Sequence, residues 1–174
     1  MTPRPPDPLF PRLTSTPLPA YHFVNAHLPP PVNDPAGHSF GRPEDDCTPE
    51  AAALASGDWR GSPHFCFGVD LYNYAYWWEA HETWEAVWRC FAPDEPMRHA
   101  LQCLIQVSAA HLQRFTGHAQ GVATLLERAH GHLELANPGR QRMCGIELES
   151  WWANEVAPYF AAPDAVPFPF LRPE

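Results

Sequence analysis

Tyr74-Ala-Tyr-Trp-Trp-Glu-Ala-His-Glu-Thr-Trp-Glu-Ala-Val-Trp-Arg89 is the stretch that decides the fold. It contains neither glycine nor proline, and the same is true from Val69 to Phe91. That span predicts one helix of roughly six turns at about 3.6 residues each, because an interior proline would cost about 3 kcal/mol. At about 100° per residue, Trp77, His81, Trp84, Glu85 and Trp88 share one face, while Glu79, Glu82, Ala75 and Ala86 share another. A helix lying on the surface collects its charges opposite its tryptophans. Here acids and aromatic bulk are mixed, so at least one carboxylate is expected in the interior.

Working outward, Pro93 and Pro96 end this helix, and a second is expected from Met97 to Phe115. A third runs from Ala119 to Leu135, closed by Asn137-Pro138-Gly139, and a fourth from Ile146 to Phe160 with Pro158 near its end. Short connections make neighbours antiparallel, so the fold class is all-α: a small antiparallel bundle of about four main helices. Residues 1–60 read as a Pro-rich extended arm with a short helix near 49–56, and residues 61–174 as the helical domain. Fourteen of the 22 prolines lie between Pro3 and Pro63. Yet the arm keeps Leu9, Phe10, Leu13, Leu18, Tyr21, Phe23 and Val24, more apolar side chains than a solvated tail retains, so it should lie on the body. Thr48-Pro49-Glu50 suits a helix start, and the tail Pro163–Glu174 is expected to be extended, with Pro167 to Leu171 packing back.

Composition narrows the function classes. The formal charge is −9, and all 11 fixed cations are arginines that form no basic stripe, which argues against nucleic acid. No apolar run is long enough to cross a membrane, and no secretory leader pattern opens the sequence. Cys47, Cys66, Cys90, Cys103 and Cys144 contain no C-x-x-C pair and read as free thiols, so a cytoplasmic location is expected. Neither a calcium loop nor a glycine-rich nucleotide loop occurs.

An antiparallel hairpin about residues 92–96 sets Glu82 opposite Gln106, and Glu85 opposite Cys103, one step from Gln102. The expected site is therefore a buried polar cluster of Glu79, His81, Glu82, Glu85, Gln102 and Gln106 in which amides satisfy carboxylates. Replacing His81 or Glu82 by alanine should then cost a few kcal/mol, on the order of a broken buried network.

Phe67 to Trp88 resembles the signature of the bacterial "domain of unknown function 309" family, with Glu79-Ala-His-Glu82 its most specific part. Leu104-Ile-Gln106 and Gly117-His-Ala-Gln-Gly121-Val-Ala are similar to later parts of the family pattern, so the resemblance covers roughly residues 64–135. His118 stands where the family often has asparagine and Ala75 where it often has glycine. The resemblance implies an all-α bundle and no particular activity.

Two function classes follow. In the first, the chain is a binding or structural module, its acid cluster sealed and architectural. The alternative is an enzyme, a metal-dependent hydrolase among the options, with Glu82 or Glu85 as general acid or base and His81 beside it. Metal candidates are His81, Glu82, Glu85 and His111. H-E-x-x-H is absent, as is a Glu-x-x-His pair within 79–88. No cofactor is strongly implied, although these residue types would accept a divalent metal. Trp77, Trp84 and Trp88 are expected in core and interface. The aromatic surplus is compatible with a homodimer, and a small-molecule ligand has no assigned identity. A cavity reaching the carboxylates from solvent separates the two classes.

Overall fold

The computed structural model describes residues 3–24, 27–43, 45–136 and 142–174. Its ordered elements are α1 (Thr48–Ala55), a 3-10 turn (Trp59–Gly61), α2 (Pro63–Asn73), α3 (Trp77–Trp88), α4 (Pro96–Phe115) and α5 (Ala119–Ala136). A last rod joins α6 (Leu148–Trp151), a π segment (Trp152–Val156) and α7 (Ala157–Ala161). Among the described residues there is no strand, only an isolated antiparallel bridge between Met143 and Ile146. No helix is long and apolar enough to cross a membrane. The Asn137-Pro138-Gly139 stop lies outside the described residues.

The helix expected over 69–91 is two helices. Tyr76 N–H donates to Leu71 O at 2.8 Å and Ala75 N–H to Tyr72 O at 3.1 Å, the paired bonds of a Schellman stop with Ala75 at the left-handed position, φ 65°. α2 and α3 then fold against each other, and α3 packs on α4. Contact between α2 and α3 is close at Gly68, where a Cβ would collide with the Trp84 indole. Trp84 is fully buried and donates from Nε1 to Phe65 O at 3.2 Å. The π segment precedes Pro158, whose missing N–H leaves a normal α ladder one donor short.

α4 and α5 form the most extensive helix pair, an antiparallel hairpin turned at Gly117 with φ 82°. The core gathers Phe65, Val69, Leu71, Tyr72, Trp84, Leu101, Leu104 and Val107, with Phe168 and Leu171 contributed by the tail. Asn73 clips that tail, donating from Nδ2 to Leu171 O and accepting from Leu171 N–H, both at 2.9 Å. Trp59, Trp84 and Trp151 are buried and the other four tryptophans half-buried.

The arm lies across α2 and α3. Asp70, buried on α2, accepts from Leu13 N–H at 2.7 Å, Thr14 N–H at 2.9 Å and Thr14 Oγ1 at 2.7 Å, with Arg12 Nε at 3.4 Å. Tyr74 and Tyr76, flanking the break, donate their hydroxyls to Phe10 O and Pro19 O. His22 stacks on Tyr76 at 3.6 Å between ring centroids, and its Nδ1 meets Ala75 O at 3.0 Å. Phe10 stacks on Phe170, so arm and tail also touch.

Candidate functional site

The acids of α3 divide between two environments. Glu79 is the buried one, 4% exposed, and its partners come from the arm. Phe23 N–H donates to Glu79 Oε1 at 2.8 Å, and His38 Nε2 lies 3.2 Å from the same oxygen. Oε2 is buried with no hydrogen-bond partner. Burial pushes the Glu79 carboxyl up to about 7, against the opposing pull of the Phe23 N–H. His38 moves the other way: burial, then the Arg42 charge, lowers its pKa. Both directions favour a neutral acid beside a neutral imidazole, the cheaper arrangement out of water.

Glu79 borders an open cleft of about 640 Å³ between arm and body. Leu18, Val32, Phe67, Leu71, Trp78 and Ala86 supply apolar wall; His38, Arg42, Asp45, His64 and Glu82 supply polar groups. A solvent-open cavity therefore reaches two of the four acids and histidines of the Glu79–Glu85 segment. This departs from the sealed cluster expected of a purely architectural network.

His81, Glu82 and Glu85 make a second, more exposed group on α3, joined to the cleft through Glu82. His81 Nε2 lies 3.0 Å from Glu85 Oε1 and His81 Nδ1 lies 3.9 Å from Glu82 Oε1. One ligand atom from each falls within 4.8 Å of the others, a spacing that could hold a metal. The side chains are 27%, 37% and 27% exposed, and Arg89 holds Glu85 Oε2 at 3.0 Å. Burial raises the Glu82 pKa, with the His81 charge opposing.

The expected amide partners are not there. Among the described residues neither Gln102 nor Gln106 bonds a carboxylate of α3, and Gln106 Oε1 is buried without a partner. The break at Ala75 resets the rotation of α3 relative to an unbroken helix, and the inward acid turns to the arm rather than to α4. His111 is also removed from the metal candidates. It is fully buried between helices, 3.0 Å from Tyr72 Oη through Nε2 and stacked on Trp77 at 5.2 Å. Burial holds its pKa well below the ordinary value, so it is a neutral core histidine. Trp77, Trp84 and Trp88 separate likewise: Trp77 packs on His111, Trp84 fills the α2–α3 seam, and Trp88 carries the Arg98 guanidinium 3.7 Å above its ring.

Sequence reasoning missed Asp70, His38 and His64. Their partners lie 14 to 57 residues away, and one member of each pair belongs to the Pro-rich residues 1–60, where little periodicity reveals what faces what. Residues 65–125 match the family model described as "Domain of unknown function (DUF309)". No curated protein and no solved structure matches the chain.

Proposed function

Starting from a body whose residues 65–125 are a domain of the DUF309 family, we propose that the chain binds a small ligand in the arm–body cleft, with Glu79 as the recognising group. The observation that carries this reading is a buried carboxyl, pushed up to about 7 by burial, in the wall of an open cavity that also holds Glu82. An incompletely bonded buried carboxyl costs on the order of 1–3 kcal/mol, and a ligand donor toward which the side chain turns would recover part of that. The fitting chemistry is a primary amine or other strong N–H donor carried on an apolar body. The head group meets Glu79 and Glu82, while Trp78, Phe67 and Leu71 take the apolar part.

Thermal-shift measurements with a panel of primary alkylamines and arylalkylamines test the idea. A binder is expected to raise the melting temperature of the wild-type protein and not that of Glu79→Gln. Equal shifts in both proteins, or none across the panel, would count against Glu79 as the recognising group.

A metal-dependent hydrolase is the second reading, favoured by the clustering of His81, Glu82 and Glu85. Metal analysis of the untagged protein and of His81→Ala separates the two. Stoichiometric metal lost in the variant would move function to that second group on α3.

A further inference from the structure

A third group of side chains lies where the starts of α1 and α2 converge, at the edge of the arm–body cleft. Cys47 is the residue immediately before α1, Glu50 stands in its first turn, and His64 lies in the first turn of α2. We propose that Cys47, Glu50 and His64 bind a divalent ion of zinc type, with Asp45 orienting the imidazole.

The ligand atoms already face one another. Cys47 Sγ is 3.9 Å from His64 Nδ1, His64 Nδ1 is 2.8 Å from Glu50 Oε1, and all three fall within 4.8 Å of each other. Tetrahedral zinc with bonds of about 2.0–2.3 Å needs ligand separations of about 3.3–3.8 Å. The thiol is therefore close to its place, and the imidazole–carboxylate contact must open by about half an ångström. Thiolate, imidazole and carboxylate together suit zinc, and three protein ligands leave a fourth position for water or substrate.

The surroundings are those of a ligand set. Asp45 Oδ2 lies 3.3 Å from His64 Nε2, the far nitrogen, as outer carboxylates do for metal-bound histidines. Glu50 Oε2 is fully occupied, accepting from Ser62 Oγ at 2.7 Å and His64 N–H at 2.9 Å, so Oε1 is held toward the other two. These bonds outweigh burial and leave the Glu50 carboxyl below its ordinary range. Burial, then Glu50, Cys90, Asp45 and Asp46, push the Cys47 thiol up to about 11. The same concentration of negative charge attracts a dication, and a bound thiolate and carboxylate would neutralise it. His64 and Asp45 also line the cleft, but Cys47 and Glu50 do not. The inference stands independently of Glu79.

Titration of the reduced full-length protein with Co²⁺, followed by displacement with Zn²⁺, tests it. One equivalent of Co²⁺ should develop a near-ultraviolet thiolate-to-cobalt band together with intense visible bands of four-coordination, and Zn²⁺ should abolish both. Cys47→Ser should lose the thiolate band and weaken Zn²⁺ binding at least about tenfold. Asp45→Asn should keep the band and weaken binding by about tenfold. Folded wild-type protein that shows no thiolate band overturns the proposal, whatever the variants do. So does a band that survives in Cys47→Ser, or uptake that is lost in His81→Ala and kept in Cys47→Ser, which would place the ion on α3.

Discussion

Asp70 and Glu79 are both buried carboxylates that grip the Pro-rich arm, one from α2 and one from α3, and they are satisfied very differently. Asp70 receives two backbone N–H groups and a hydroxyl and pairs with the Arg12 guanidinium, all from residues 12–14. Glu79 receives Phe23 N–H and faces His38 through a single oxygen, while its other oxygen is buried without a hydrogen bond. Only Glu79 borders the cleft. A carboxylate saturated by fixed donors is a clip, since it has nothing left to offer a ligand. A half-satisfied one in an open cavity is held near the point where it can gain or lose a proton.

The largest expected effect sharpens the first half of this contrast. Asp70→Ala strands two N–H groups and a hydroxyl against the body, at a cost of about 3 kcal/mol. The loss is bounded, because release of residues 10–24 would return those donors to water. Denaturant unfolding measures the cost, and limited proteolysis within residues 10–24 should accelerate. An arm that remains protected in the variant would mean that the Tyr74 and Tyr76 hydroxyl bonds and the Phe10–Phe170 stack hold it unaided.

Glu79→Gln should act with the opposite sign. A folded-state pKa of about 7 lies above the unfolded value of about 4.5, so the folded protein binds the extra proton between those limits. This contribution to stability is present at acidic pH and is lost as pH rises through about 7. Glutamine cannot ionise, so the variant should gain on the wild type across that window, by about 2–3 kcal/mol above pH 7. Histidines that do not touch Glu79 titrate alike in both proteins, so the difference between the two curves reports Glu79 together with His38, its direct partner. Parallel pH–stability curves would break the contrast and return Glu79 to the same class as Asp70.

A smaller effect concerns the more exposed group on α3. The sequence led us to expect that His81→Ala would cost a few kcal/mol through a buried network. With His81 and Glu85 each 27% exposed, the pair is worth about 0.5 kcal/mol, and it should weaken with salt. Denaturant midpoints at low and high ionic strength check this.

How much of this was legible follows from where the partners come from. α4 and α5 match their expected ranges within a residue, because each is a long periodic run bounded by proline or glycine. Inward placement of one acid was also legible, from carboxylates mixed into aromatic stripes. Which acid, and against what, was not. Phe23 and His38 belong to an arm without periodicity, and the partners were sought instead on α4 at Gln102 and Gln106. The Cys47–Glu50–His64 group has no paired-thiol spacing to mark it, and its one local signal is a cysteine three residues before a glutamate at a helix start.

The misplaced partners trace to a single residue. Ala75 adopts φ 65°, a conformation that costs an L-residue roughly 1–2 kcal/mol and glycine almost nothing. Nothing in its composition marks it as a helix stop, so the sequence reads through it. The family pattern that this chain resembles often carries glycine there, and the Schellman bonds of Tyr76 and Ala75 explain why. The turn separates Asp70 from Glu79 and aims the two acids at different stretches of the arm. Ala75→Gly is therefore expected to leave both carboxylates in place and keep stability within about 0.5 kcal/mol of the wild type, the relieved strain being offset by the lost buried methyl and the glycine's added unfolded-state entropy. A variant destabilised by more than that would mean that the methyl, 1% exposed beneath the arm, contributes more than the strain it imposes. In that case the break between the two helices would be held by the arm, through the Tyr74 and Tyr76 hydroxyls and His22, rather than by the backbone stop itself.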